Sequence, residues 1–332
     1  MNPASTDHPS RRVTRLAPSP TGALHLGNAR TFLITWAIAR RRCWRVLLRL
    51  DDLAGPRVKR GASEQALDDL AWLGLDWDGA PIAQSTRLGI YVAAMRDLAR
   101  RGLVFPCSMT RREIETALEA PHEPPTVADA AAVRRETRFP PDLRPPLQPR
   151  DFEDAARRTG WRFATPSGMV RFEDAVAGPV ELDPAATIGD FIVWTKDGEP
   201  AYQLATVIDD HDLGVTDVIR GDDLLDSAGR QRLLGRALGL TPEPRQWHLP
   251  LVVGPDGRRL AKRHGDTRLA HYRDLGVPAG RLVALLARWS GVPDAGDAMS
   301  AQTFAERFDP ATMPRERVVF TAEDDAWLHA GS

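Results

Sequence analysis

Cysteine and lysine are nearly absent from this chain of 332 residues. Its two cysteines, Cys43 and Cys107, are too few for the disulfide framework of a small secreted domain. Of 44 basic residues only Lys59, Lys196 and Lys262 are lysine, so a lysine kept inside a motif stands out against arginine. Long apolar runs are missing too. The longest, Thr31 to Ala39, is bracketed by Arg30 and the run Arg40 to Arg42. It falls short of the roughly 18 apolar residues that a membrane span needs and reads as a buried helix. The stretch 1–12 has no apolar centre, which argues against a secretory leader and for a disordered, frayed tail. A cytoplasmic protein is the expectation. Net charge is also lacking, at −1 from 44 basic and 45 acidic residues. That balance neither demands nor excludes a polyanionic partner.

What is present suits a soluble globular protein: 42% apolar and 27% charged residues, and a length for about two domains. Val13 to Ala17 is a short apolar stretch entering the turn-rich Pro18-Ser19-Pro20-Thr21-Gly22. A helical pattern covers Gly27 to Arg42, and Arg45 to Leu50 is of strand type. Strand, helix and strand make a βαβ unit with a parallel sheet and a right-handed crossover. Two amphipathic helices are expected over Glu64 to Leu75 and Leu88 to Arg101. A Pro-rich middle surrounds Pro121 to Pro149. Ala201 to Val207, Val215 to Ile219 and Trp247 to Val253 read as strands, Leu224 to Leu238 as a helix, and the tail from Leu269 to about Trp327 as mostly helical.

The expected fold is α/β, a Rossmann-type doubly wound parallel sheet with an inserted subdomain and a C-terminal helical region. Its divisions are a tail 1–12, a first catalytic half 13–102, an insertion 103–195, a second half 196–253, and a nucleotide loop with helices 254–332. Residues 11–60 hold twelve basic and two acidic side chains. This excess is either a solvated arginine-rich face or an electrostatic footprint for polyanions.

Ala17 to Asn28 follows a strand and opens a helix, and a helix N-terminus offers unpaired N–H groups to an anion. His25 and Gly27 sit at that turn. Glycine allows close backbone approach, and an imidazole can donate to a phosphate oxygen. A lone loop histidine is ordinarily a surface residue, but the strand–turn–helix context favours a role. About 230 residues later comes the basic stretch Arg259-Leu260-Ala261-Lys262-Arg263.

Together these stretches resemble the two signature motifs of class I aminoacyl-tRNA synthetases of the glutamyl type. His25-Leu26-Gly27-Asn28 is similar to the first. Arg259 to Arg263 is similar to the second, usually Lys-Met-Ser-Lys-Ser or Lys-Leu-Ser-Lys-Arg. Arg15 to Gly22, Ala201 to Ala205, Val207 to His211 and Val218 to Asp222 resemble segments of the glutamyl branch. The likeness runs from about Val13 to His271. Fewer than 70 residues follow Arg263, so no anticodon-binding domain is expected. The chain thus resembles the short paralogues, the glutamyl-queuosine tRNA(Asp) synthetases, and Pro56 to Gly61 shares their character.

That resemblance implies tRNA-independent activation of glutamate by ATP with Mg²⁺. Glutamate is then attached to queuosine at the wobble position of tRNA(Asp). It implies His25 and Lys262 as catalytic residues, and Arg15, Ser19, Asp51, Tyr202 and Arg220 as glutamate-binding. Pro18, His25, Gly27, Asn28, Arg259, Leu260 and Lys262 would bind ATP. A monomer without a membrane partner is expected. Asp51 replaces the family's usual Glu, and Arg259 and Ala261 replace a Lys and a Ser. At the family's zinc-binding positions only Cys107 is a standard ligand, with Met109, Phe139 and Leu143 in the other places. His122 cannot complete a site, so no zinc is expected and apolar packing should replace it. Two alternatives stand: a paralogue charging a tRNA 3′ end, or a degenerate paralogue that binds tRNA or amino acid without turnover.

Overall fold

The computed structural model describes residues 12–20, 22–53, 58–110, 112–114, 138–153, 156–258, 260 and 265–330. The expected tail is outside this set except for Arg12. In chain order come β1 (Val13–Leu16), α1 (Leu26–Arg41), β2 (Arg45–Leu50), α2 (Ala62–Trp72), β3 (Ile82–Ala83), α3 (Leu88–Arg100) and β4 (Val104–Pro106). Then follow β5 (Trp161–Phe163), β6 (Val170–Asp174), β7 (Gly178–Leu182), α4 (Pro184–Thr187), β8 (Phe191–Trp194), α5 (Tyr202–Asp212), β9 (Asp217–Gly221) and α6 (Leu225–Ala237). The last elements are β10 (Arg245–Leu249), β11 (Val252–Val253), α7 (Leu269–Asp274), α8 (Ala279–Trp289), α9 (Ala301–Arg307), β12 (Val318–Val319) and α10 (Ala322–His329).

The parallel strands fall into two ladders, β1-β2-β3 and β7-β6-β10-β9, of which only β7 runs antiparallel. They meet between β1 and β9. Thr216 donates its amide to the Val13 carbonyl at 2.9 Å, and Thr14 Oγ1 donates to the Asp217 carbonyl at 2.8 Å. Across the seam the order is β3-β2-β1-β9-β10, so the chain winds outward in opposite directions from β1 and β9. Such a reversal opens a crevice at the carboxyl ends of the strands, where ligands of doubly wound sheets bind.

Helix α1 covers one face because nearly all of Leu26, Ala29, Leu33, Ile34, Ala37 and Ile38 is removed from water. Arg40 and Arg41 in its last turn suit the negative end of the helix. The main core joins α1 and the sheet to the C-terminal helices through Leu282, Leu286, Phe304 and Phe308. A second core gathers Tyr91, Met95, Trp161, Trp194 and Leu204 around the antiparallel sheet β4-β5-β8. Within 103–195, therefore, β4, β5 and β8 form a separate sheet, whereas β6 joins the main one beside β10.

One expected strand is a helix. Ala201 to Val207 opens α5, whose N-cap is Ala201. Gln203 to Thr206 and Ile208 to Asp210 are all buried. A helix covered on most faces carries a near-continuous apolar run, which periodicity cannot tell from a strand.

Part of the basic excess of 11–60 is spent inside the protein. Arg15, Arg30 and Arg49 are buried. Arg30 donates to the carbonyls of Pro250 (2.7 Å) and Trp289 (3.2 Å). Arg40 bridges Asp76 and Asp78 at 2.9 and 2.8 Å, and Arg42 lies over the rings of Trp44 and Trp247. Arg12, Arg41, Arg42, Arg45, Lys59 and Arg60 of the same segment are exposed.

Candidate active site

A cavity of about 460 Å³ opens at the carboxyl ends of β1, β2 and β9, at the reversal point. Arg15, Pro18, Ser19, His25, Gly27, Asn28, Asp51, Tyr202 and Arg220 all line it. Nine positions chosen from sequence, spread over some 200 residues, thus share one space. Leu260 does not line it: its side chain is buried in the main core. Arg259 and Lys262 lie outside the described residues, as does His122.

The first motif is built by helix capping. His25 has extended backbone and is the N-cap of α1; its Nδ1 accepts the Gly27 amide at 3.1 Å. Asn28 Oδ1 accepts the His25 amide at 3.3 Å, closing a capping box. Because Nδ1 accepts, the ring proton sits on Nε2. A Cβ on Gly27 would lie 3.0 Å from His25 Cε1 and 3.1 Å from Nδ1, so a side chain there would press on the imidazole. The chain just beyond the second motif is stitched to this turn. Leu26 donates its amide to Thr267 O (3.0 Å) and Leu269 to Leu24 O (2.9 Å), and His25 and Arg268 form an antiparallel bridge.

The cavity floor is charged and buried. Arg220 is 5% exposed, and its three nitrogens meet neutral acceptors: His248 Nε2 at 3.0 Å, Gln231 Oε1 at 2.8 Å and Gln246 Oε1 at 3.4 Å. The Tyr202 hydroxyl also lies against it. Among the described residues no carboxylate stands within ion-pair distance of Arg220. Burial pulls its pKa below the usual guanidinium range, and neighbouring Arg15 adds to this. A buried cation without a carboxylate partner is a receptor for a ligand anion.

Arg15, by contrast, is paired with Asp210 at 3.0 Å. Arg49 meets Asp210 at 2.7 Å and grips Asp51 at 2.6 and 3.3 Å. Both Asp51 oxygens are therefore engaged, although the residue borders the cavity; burial raises its carboxyl in spite of Arg49. Burial alone would raise Asp210 too, but Arg15 and Arg49 outweigh it and hold that carboxyl below the usual range. Asp209 completes the cluster through Tyr91 OH (2.8 Å), Gln84 Nε2 (2.8 Å) and Arg87 Nε (2.9 Å).

Sequence reasoning assigned no role to Arg49, Asp209 or Asp210. The available signal was a charge inside an apolar run: Arg49 in Arg45–Leu50, and Asp209-Asp210 after Val207-Ile208. A charge in such a run, when buried, needs polar partners to satisfy it.

In the region expected to lack zinc, Cys107, Met109 and Leu143 pack against Phe105, Ile114, Phe139 and Ala164. The Phe105 and Phe139 rings are 5.8 Å apart, and the Arg162 guanidinium sits over Phe139 at 4.5 Å. One thiol, one thioether and two hydrocarbon side chains do not fit tetrahedral zinc. Metal analysis of the purified protein should find far less than one zinc per chain; one tightly held zinc per chain would contradict this packing.

Residues 12–324 match the family described as tRNA synthetases class I (E and Q), catalytic domain. The Glutamyl-Q tRNA(Asp) synthetase of Rhodopirellula baltica is 45% identical, over 93% of this chain and 97% of its own. That of Symbiobacterium thermophilum is 42% identical, over 96% and 98%. Glutamate–tRNA ligase 1 of Cereibacter sphaeroides is 41% identical over 87% of this chain but only 58% of its own length. The glutamate-tRNA synthetase structure of Elizabethkingia anophelis superposes with a TM-score of 0.76 at 25% identity, covering 96% of this chain and 70% of that one. With a site at the sheet's reversal point and this match along nearly its whole length, the chain belongs to the class I tRNA synthetase family for glutamate and glutamine (E and Q).

Proposed function

We propose that this protein is a ligase that activates glutamate with ATP without tRNA, then transfers it onto queuosine at the wobble position of tRNA(Asp). The observation that carries the amino-acid half is Arg220, a buried guanidinium held, among the described residues, by neutral acceptors on the cavity floor. An acidic substrate supplies the charge it lacks. The transfer half rests on relatives of matching length whose names state that product.

Adenylation joins the glutamate α-carboxylate to the α-phosphate of ATP and releases pyrophosphate. The protein's work is positioning and charge stabilisation. Arg220 and Tyr202 take the side-chain carboxylate, with Arg15 and Ser19 at the same wall. Asp51 faces the substrate ammonium while Arg49 fixes its carboxylate. His25 Nε2–H meets the phosphates, with Pro18, Gly27 and Asn28 beside it on the cavity wall. Lys262 and Arg259 of the second motif are assigned to the same phosphates, and Mg²⁺ accompanies ATP.

Two assays test this. Glutamate should drive exchange of pyrophosphate into ATP without tRNA; its absence would favour the degenerate paralogue. Labelled glutamate should attach to tRNA(Asp) that carries queuosine and not to tRNA(Asp) that lacks it. Equal labelling of both would favour 3′-end charging instead.

A further inference from the structure

A row of side chains lies behind Arg220. Arg220 on β9, His248 on β10 and Asp174 at the end of β6 occupy three adjacent parallel strands. The register sets Arg220 opposite His248 and Asp174 opposite Gln246, two residues earlier. All three are buried. Asp174 Oδ2 lies 2.6 Å from His248 Nδ1. Its Oδ1 accepts the amides of Val176 and Ala177 at 2.9 Å and of His248 at 3.1 Å. A carboxylate only accepts, so the ring proton is on Nδ1 and Nε2 is left to accept. Arg220 Nε donates to that Nε2 at 3.0 Å.

We propose that His248 is a positioning residue that holds the Arg220 guanidinium in place without neutralising it, while Asp174 sets the tautomer that makes this possible. The inference rests on the glutamate reading above and adds how its specificity is kept. Asp174 could have ended this row as a direct ion pair, as Asp210 does for Arg15. A carboxylate touching Arg220 would compete with a ligand carboxylate for the same charge. The imidazole passes on the hydrogen bond and keeps the two charges a ring apart. Burial, aided by Arg220, holds the ring below its usual pKa against the pull of Asp174, which preserves the neutral, accepting form.

Asp174→Asn tests the polarity of this row at constant shape. The three backbone amides hold the asparagine oxygen in the Oδ1 place, so its NH₂ faces Nδ1. The ring proton then moves to Nε2, and Arg220 Nε loses its acceptor. In tRNA-free pyrophosphate exchange the KM for glutamate should rise about 10–100-fold, the scale of supporting-residue effects. The KM for ATP and kcat should stay within about twofold. His248→Gln, with an oxygen for Arg220 and an NH₂ for Asp174, should keep the glutamate KM within about threefold of the parent, whereas His248→Leu should match Asp174→Asn. A parental glutamate KM in both Asp174→Asn and His248→Leu overturns the proposal, as does an equal rise for glutamate and ATP. If Asp174→Asn does not fold, the Gln and Leu variants at 248 decide alone. No glutamate-dependent exchange in the parent protein would instead count against the glutamate reading itself.

Discussion

His25→Ala is expected to slow glutamate-dependent pyrophosphate exchange by about 10²–10³-fold, the loss seen when one preorganised donor to a developing charge is removed. Two effects must be separated, because His25 both caps α1 and points into the cavity. The cap is a stability effect: an alanine N-cap costs about 1 kcal/mol and shows as a lower unfolding midpoint. The donor is a rate effect. His25→Asn restores a good cap and leaves the phosphate without the imidazole N–H, so it should recover the midpoint and not the rate. Lys262→Ala should lose exchange by the same order, about 10²–10³-fold. Parental rates in both His25→Ala and Lys262→Ala would mean that ATP binds elsewhere.

Arg49→Met should destabilise the fold by about 3–5 kcal/mol, read as a lower urea midpoint, because removing one member of a buried charge cluster strands the others. Arg49 is 1% exposed, lies within 3.9 Å of Asp51, Asp209 and Asp210, and its own pKa is held well above the usual range. Adding Asp210→Asn removes one stranded charge and should recover part of the loss. The parent protein carries a matching pH dependence. Asp210 is held below its unfolded value, so its stabilisation is complete above the unfolded carboxyl range, about pH 4, and is lost as pH falls through the folded value. Arg49→Met should show a shallower acid dependence of its midpoint. A loss under about 1 kcal/mol would show that Arg49 does not hold the cluster.

The parts of this site that were legible in sequence are those built from neighbours along the chain. His25, Gly27 and Asn28 form a cap within four residues, and local chemistry decides it. The strand β2 was readable to its last residue because Arg45 to Leu50 is bounded by turns. Groups fixed by strand register were not legible. Arg220 meets His248 28 residues away, and His248 meets Asp174 74 residues away; no spacing rule in one chain announces such pairs. Asp51 lines the cavity, yet its engagement by Arg49 needed the fold. Leu260 was read with its charged neighbours as part of a nucleotide loop, while its side chain turned inward as hydrocarbon beside an apolar core does.

The stitching of 24–26 to 267–269 has a mechanical result. Leu269 is the first residue of α7, and its amide is tied to Leu24. A shift of that helix is therefore delivered to the phosphate-facing turn by rigid peptide linkages, with no side chain to absorb it.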